Sequence, residues 1–189
     1  MSKKPNFRHV SILLADADAC LAQAVTHNLR AMGFQNVTHV KSSDDALHAI
    51  RTQAISFLIT EWDIKVTNGL ELVRYLRRSS DSTNRSLPII MLTGRGELND
   101  VQAARDVGIT EFVVKPFSAQ TLFSRIEQMV DYPRSFVMAD SYVGPERRRR
   151  GVPPSGVADR RTVKPEPTVF SRDAVKKGPS NAPIIFSAD

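Results

Sequence analysis

Side chains that could do chemistry stand at the ends of four short apolar segments. Two carboxylates, a hydroxyl and an ammonium occupy these points, on Asp16, Glu61, Thr93 and Lys115, and Asp63 follows Glu61 by two residues. Oxygen ligands of this kind favour Mg2+, and a lysine with a hydroxyl can hold the oxygens of a phosphoryl group. If the four segment ends converge, the chain carries the parts of a metal-assisted phosphoryl site.

The elements that would position these side chains alternate between two periods. Five short apolar runs predict strands, at His9–Leu14, Val37–Lys41, Ile55–Thr60, Pro88–Leu92 and Glu111–Val114. Apolar residues at three- or four-residue steps predict a helix after each strand. Continuous apolar strands are typical of a parallel sheet covered by helices on both faces. We therefore predict a doubly wound, five-stranded parallel α/β fold with five helices, whose working site lies beyond the carboxyl ends of the strands.

Local signals mark several helix ends. Asp18 is in position to cap the first helix, Ser42 or Ser43 the second, and Ser118 the last, because short polar side chains accept hydrogen bonds from free amides of the first turn. Gly33 follows the last apolar residue of the first helix, where a glycine commonly ends a helix.

Charge and proline content change at about residue 132. Up to that point the chain has 15 Lys and Arg against 14 Asp and Glu, whereas the remainder has 11 against 6 and eight of the 11 prolines. We predict an extension at residues 1–7, a folded domain over 8–131 and a basic, largely disordered tail over 132–189. Within the tail, Tyr142–Pro145 and Ile184–Phe186 are apolar enough to dock on another surface.

Two observations narrow the class of protein. One cysteine, Cys20, cannot form a disulfide within the chain, and we expect it to be a small buried apolar residue. No signal-peptide pattern follows the first residues, and no stretch approaches the ~20 apolar residues that cross a bilayer. We therefore expect a cytoplasmic protein without a membrane span.

Four sequence blocks together resemble the receiver domain of bacterial response regulators, over roughly residues 8–131. The blocks are Ile12–Asp16, Glu61–Trp62 leading to Gly69–Leu72, Ile90–Gly94 and Phe112–Phe117. The resemblance implies a flavodoxin-like sheet of order 2-1-3-4-5 and a role in two-component, or phosphorelay, signal transduction. It also implies a non-enzymatic protein.

The resemblance assigns expected roles to five residues. Asp16 matches the first member of the family's aspartate pair at the Mg2+ site, and Asp63 matches the position whose backbone carbonyl reaches the metal. Thr93 and Lys115 match the hydroxyl and the lysine that contact the phosphoryl group. Phe112 matches the aromatic residue that reports the switch, although its apolar ring also suits a core position.

Two departures from the family pattern affect the chemistry itself. Glu61 stands where the phosphorylated aspartate belongs, and Ala17 stands where a direct Mg2+ ligand belongs. The extra methylene of glutamate displaces the attacking oxygen, and a misplacement of about 1 Å can cost on the order of a hundredfold in rate. Losing the second carboxylate weakens the cation site. We therefore predict a pseudo-receiver that is not phosphorylated and whose Mg2+ binding is weakened or lost.

Alternatives remain open at the same pocket. The domain could be a working phosphoacceptor that uses Mg2+ and either Glu61 or Asp63. Glu61 could instead imitate the phosphorylated state, although one charge and two oxygens replace nearly two charges and three oxygens. A plain ion pair between Glu61 and Lys115 is the simpler outcome.

The expected partner is a protein. A stand-alone receiver-like module would bind a histidine kinase or another signalling protein through its last strand and last two helices. The tail's basic cluster could contact nucleic acid or other anions, but no base-reading module accompanies it. This cluster consists of Arg147, Arg148, Arg149 and Arg150. The stretch from Tyr142 to Arg148 resembles a segment that follows some receiver domains, and its sequence alone suggests no mechanism.

Overall fold

The computed structural model describes residue 7 and residues 9–147. Five strands form one parallel sheet in the order β2-β1-β3-β4-β5. The strands are β1 (Ser11–Ala15), β2 (Asn36–Val40), β3 (Phe57–Thr60), β4 (Ile89–Thr93) and β5 (Glu111–Val114). The helices are α1 (Ala19–Ala31), α2 (Ser43–Thr52), α3 (Gly69–Arg78), α4 (Leu98–Asp106) and α5 (Ala119–Asp131). The predicted doubly wound, flavodoxin-like fold is confirmed.

Strand β1, which lies between β2 and β3, shows how the sheet divides the core into two apolar layers. Ile12 and Leu14 face the layer built with α1 and α5, whereas Leu13 and Ala15 face the layer built with α2, α3 and α4. These four residues of β1 are essentially inaccessible to water. Each large side chain buried in this way contributes about 1.5–3 kcal/mol of transfer free energy. Burial on both faces explains why the strands are continuous apolar runs.

The predicted helix ends are largely confirmed. The carboxylate of Asp18 accepts hydrogen bonds from the amides of Cys20 and Leu21, so it caps α1. Ser42 caps α2 through the Asp45 amide, and Ser118 caps α5. The expectation that Cys20 is buried is wrong, because the first turn of α1 turns that side chain to solvent.

A β-hairpin follows α5, where the sequence predicted disorder. Strands β6 (Phe136–Ala139) and β7 (Tyr142–Pro145) pair in antiparallel fashion as a separate two-stranded sheet. The predicted disorder is therefore wrong for residues 136–145, whereas the predicted end of the receiver domain at residue 131 stays a prediction. Phe136 and Pro145, which pair across the hairpin, are buried, so even short apolar pieces can order this segment. The rest of the predicted tail, including Arg148, Arg149 and Arg150 and the apolar piece near the end of the chain, lies outside the described residues.

Helix length and composition bear on the expected absence of a membrane span. Among residues 9–147, no helix combines the length and the apolar character needed to cross a bilayer.

Candidate functional site

The carboxyl ends of four neighbouring strands bring the predicted site residues together. Asp16 follows β1, Glu61 follows β3, Thr93 ends β4 and Lys115 follows β5. Backbone hydrogen bonds extend the sheet by one residue at this edge: the amide of Glu61 donates to Ala15 O at 2.9 Å, and that of Lys115 to Thr93 O at 2.7 Å. The strand register therefore fixes the backbone position from which each of these side chains extends.

Lys115 occupies the centre of the site. Its Nζ donates to Asp16 Oδ2 at 3.1 Å and forms a second, very short contact with Glu61 Oε2. The side chains of Lys115, Asp16 and Glu61 are 18%, 4% and 11% exposed, respectively. Charges this shielded from water interact more strongly than surface pairs do. A single ammonium thus serves both carboxylates.

The remaining oxygens of the two carboxylates bind backbone amides. Glu61 Oε1 accepts the Trp62 amide at 2.6 Å, and Asp16 Oδ1 accepts the Asp18 amide at 2.9 Å. Each carboxylate therefore has one oxygen on Lys115 and the other on the chain that follows it. His39 Nε2 also lies 2.8 Å from the carbonyl oxygen of Asp16, which places an imidazole behind the pocket.

Gly69 is required by a close approach beside Glu61. A Cβ on Gly69 would overlap the carbonyl oxygen of Glu61 and lie 3.2 Å from the Cα of Trp62. The amide of Gly69 donates to Trp62 O at 2.7 Å. The loop between β3 and α3 is thereby folded back on the residue that carries the pocket's central carboxylate.

Thr93 is buried, and its hydroxyl has a backbone partner. Its Oγ1 accepts the amide of Arg95 at 3.3 Å, so the hydroxyl holds the start of the loop between β4 and α4. Phe112 is half-buried and packs against the core layer that contains α2, α3 and α4. Its packing agrees with the core interpretation, and its role as a switch residue stays a prediction.

Asp63 points to a different cation from the one that serves Glu61. Arg95 donates to its two carboxylate oxygens at 3.0 and 3.2 Å. The same guanidinium lies 5.3 Å from the ring centre of Trp62. The hydrogen bond to Asp63 is the main reason that the pKa of Arg95 is raised above its ordinary value. Both partners of this pair are exposed, at the mouth of the pocket.

Comparison with known proteins identifies the fold's family. The family model described as "Response regulator receiver domain" matches residues 12–127, which is more than half of the chain. The chain belongs to the response regulator receiver family. Receiver domains work in two-component signalling, generally bind Mg2+ at their phosphorylation site and interact with protein partners such as kinases.

Chemotaxis proteins are among the relatives of this receiver. It is 29% identical over 122 residues to chemotaxis protein CheY of Pseudomonas aeruginosa, covering 65% of this chain and 97% of the relative. It is 30% identical over 119 residues to chemotaxis protein CheY1 of Helicobacter pylori, covering 62% and 94%. The solved structure of CheY4 of Vibrio cholerae matches with a TM-score of 0.58 at 26% identity, covering 64% of this chain and 98% of that one.

The two positions at which the sequence predicts a departure from the family pattern are Ala17 and Glu61. The side chain of Ala17 is a methyl group, and Glu61 directly follows β3. The assignment of Glu61 to the acceptor position stays a prediction. Within the part of the chain that the structure describes, no three His, Cys, Asp or Glu side chains are grouped so that they could hold a metal ion.

Sequence reasoning did not identify Trp62, Arg95 or His39 as part of the site. Arg95 lies in a loop without periodicity, and its pairing with Asp63 depends on how two loops from different strands meet. His39 lies on β2, one of many polar side chains on an edge strand. No signal in residue type or spacing distinguishes either of them.

Proposed function

We propose that this receiver acts by binding a protein partner and does not take up phosphate. The observation that carries the proposal is the position of Lys115, whose ammonium contacts both Asp16 and Glu61. In the family's pattern this lysine contacts the phosphoryl group. Here it neutralises carboxylates of its own chain, so the pocket is already saturated by internal contacts.

The donor set does not fit Mg2+. This ion demands nearly octahedral oxygen coordination at short distances and is held by carboxylates. Asp16 shares its charge with Lys115, the side chain of Ala17 has no oxygen, and the carboxylate of Asp63 is bonded to Arg95. Each carboxylate near the pocket thus has a cation of the chain itself, and little negative charge remains to attract a metal ion.

The candidate nucleophiles are also poorly placed for attack. Attack on a phosphoryl donor requires a free oxygen held in line with the leaving group. Glu61 has one oxygen on Lys115 and the other on the Trp62 amide. Asp63 is engaged through both oxygens by Arg95. These contacts give the alternative of a working phosphoacceptor at Glu61 or Asp63 less support than the non-phosphorylated module.

The same contacts bear on imitation of the phosphorylated state. A phosphoryl group carries nearly two negative charges and three acceptor oxygens. Glu61 supplies one charge, which it shares with Asp16 around one ammonium, while the Thr93 hydroxyl accepts the Arg95 amide. The ion pair between Glu61 and Lys115 therefore explains the contacts of Glu61 without a role as a phosphoryl mimic.

The surface proposed for the partner consists of β5, α4 and α5. Leu98 at the start of α4 is 71% exposed, and Val114 at the end of β5 is 41% exposed. Exposed apolar side chains of this size are common at protein interfaces. A histidine kinase or another signalling protein is the proposed class of partner. Anion binding by the tail stays an alternative, and Arg147, the described member of the basic cluster, pairs with Asp106 instead.

Incubation of the full chain with acetyl phosphate and Mg2+, followed by intact-mass measurement, tests the proposal. We expect no mass gain for the unaltered chain. The double variant Ala17→Asp/Glu61→Asp is the matched control, because it restores both missing groups and should gain one phosphoryl group. A stoichiometric gain on the unaltered chain, mapped to Glu61 or Asp63, would overturn the proposal.

Titration with Mg2+ gives a second reading of the same pocket. Trp62 is the chain's single tryptophan and follows Glu61 directly, so its fluorescence reports on ion binding nearby. We expect no saturable change for the unaltered chain and a saturable change for the double variant. A saturable change in the unaltered chain would contradict the proposed loss of Mg2+ binding.

A further inference from the structure

Helix α4 has little apolar anchoring of its own. Its only fully buried residue is Ala104, whereas α5 buries four large side chains. The residue before its first turn, Glu97, makes no side-chain cap. Helices with few buried contacts belong to the least stable parts of a fold. Contacts made by the residues that follow α4 therefore bear on its stability.

The C-terminal segment, defined here as residues 134–147, supplies a backbone contact just after α4. Gly108 has φ +96°, and a Cβ there would lie 2.5 Å from Val143 O. A Cβ on Gly144 would lie 2.7 Å from the Cα of Gly108. Two backbones meet here without side chains between them. Glycine is needed at both positions for the segment to dock.

Two arginines of the C-terminal segment hold the connection between α4 and β5 by polar contacts. Arg134 donates to the carbonyl oxygen of Thr110 and to Glu111 Oε1. Arg147 Nη2 lies 3.2 Å from Asp106 Oδ1, and its guanidinium lies 4.1 Å from the ring centre of Tyr142. Side chains from both ends of the C-terminal segment therefore contact the stretch from residue 106 to 111.

Arg77, near the end of α3, contacts both the C-terminal segment and the connection between α4 and β5. Its Nε donates to Gly108 O at 2.9 Å, and its guanidinium lies 5.4 Å from the ring centre of Phe136. Arg77 is 1% exposed. A charged side chain is rarely buried to this extent without compensating contacts. The Arg77 guanidinium therefore contacts both the connection after α4 and the docked hairpin.

We propose that the C-terminal segment is a brace on α4, so that α4 can move only when the hairpin undocks. The brace contacts the pole of the domain opposite the ion-paired pocket. It lies beyond residue 127, where the match to the receiver family ends. In this chain the placement of α4 depends on an appended element, not only on the pocket.

Hydrogen exchange of the full chain, resolved by segment, tests the brace. Gly144→Ala places a methyl group against Gly108 and the Tyr142 hydroxyl, both within 2.7 Å. In Gly144→Ala we expect hydrogen exchange over residues 98–112 and 136–145 to be faster than in the unaltered chain by about tenfold or more. Exchange in α1 should be unchanged. Gly94→Ala is the matched control, because a Cβ there meets nothing within 4 Å. Arg147→Ala removes only the contacts of Arg147 with Asp106 and Tyr142, and it should accelerate exchange less in the same residues.

Two outcomes would overturn the proposal. In the first, residues 136–145 lose protection in Gly144→Ala while residues 98–112 keep theirs, which would show that the hairpin and α4 are uncoupled. In the second, the hairpin stays fully protected in Gly144→Ala, which would show that the Gly108 contact does not dock it. If Gly144→Ala does not fold, Phe136→Ala decides, because Phe136 is a buried residue of the hairpin. Loss of protection over residues 136–145 with unchanged exchange over residues 98–112 would then refute the brace.

Discussion

Lys115 Nζ donates to Asp16 Oδ2 at 3.1 Å and so joins two residues that are 99 positions apart in the chain. This bond connects the end of β1, an interior strand, to the end of β5, an edge strand, at the end of the sheet where the family carries out its chemistry. Because the same ammonium also contacts Glu61, removing it would leave two shielded carboxylates facing each other. Removal of the ammonium alone should therefore destabilise the domain.

Lys115→Met tests this structural role. Removing one partner from a buried ion pair typically costs about 3 kcal/mol or more, because the remaining charge loses its compensation. We expect a loss of about that size in the free energy of unfolding, measured by urea denaturation. Glu61→Gln should cost less, because Lys115 keeps its bond to Asp16.

Lys65→Met is the control for this prediction, because the side chain of Lys65 is exposed. Exposed substitutions usually change stability by no more than about 0.5 kcal/mol. If Lys115→Met lowered the free energy of unfolding no more than Lys65→Met does, the ion pairs of Lys115 would contribute no measurable stability. The proposed saturation of the pocket would then lose its physical basis.

Arg95→Gln is expected to loosen the pocket's mouth without unfolding the domain. The guanidinium binds Asp63 and lies over Trp62, and both members of the ion pair are largely exposed. Exposed pairs contribute little to stability because water and salt screen them. We predict a nearly unchanged urea midpoint but a changed emission of Trp62 and easier quenching by acrylamide.

Arg51→Gln controls for the general loss of a surface arginine. Arg51 also lies near an aromatic ring, that of Tyr75, but on a different part of the surface. Its removal should leave Trp62 emission unchanged. Equal emission spectra for Arg95→Gln and the unaltered chain would mean that Arg95 does not cover Trp62 in solution.

Gly69→Ala should destabilise the loop that presents Glu61. The new methyl group would overlap the carbonyl oxygen of Glu61, and neither of these backbone segments can rotate away. Overpacking of this kind typically costs about 1–3 kcal/mol. Thermal and urea unfolding should both report the loss, whereas Gly94→Ala should be nearly neutral. A neutral Gly69→Ala would indicate that the loop relaxes freely and that Glu61 is not rigidly held.

The fold could be predicted because apolar period and turn residues agree along residues 9–131. Asp18, Ser42 and Ser118 cap helices by local chemistry that needs no tertiary information. The site positions followed from the rule that strand ends converge. The partners of those side chains did not, because contacts such as Arg95 with Asp63 depend on the paths of two separate loops.

The hairpin was missed for a different reason. Its strands are four residues each, and the prolines and charges around them dominate any composition window. One signal was present in α3, where the core-facing positions Leu72, Val73 and Leu76 continue to Arg77. An arginine at a core-facing position calls for partners that bury it, and Phe136 of the hairpin is one of them.

Arg77 also leads to a prediction about pH. Burial lowers the pKa of Arg77 well below its ordinary value, to about 9. Below pH 9 the side chain is charged in both the folded and unfolded states, so it adds no pH dependence there. Above about pH 9 the unfolded chain binds more protons than the folded one, and stability from this group rises with pH.

Comparison of the unaltered chain with Arg77→Met reports this contribution together with that of Tyr142, whose charge interacts with Arg77. Other titrating groups are common to both proteins. The guanidinium donates to the carbonyl oxygens of Gly108, Arg85 and Leu87, so its loss leaves three acceptors without their donor. We expect Arg77→Met to cost about 3 kcal/mol, equally at pH 6 and pH 8. Above about pH 9 the difference in unfolding free energy between the unaltered chain and Arg77→Met should increase, with the unaltered chain the more stable. If that difference decreased above pH 9, the folded protein would favour the charged form of Arg77. This would contradict the lowered pKa.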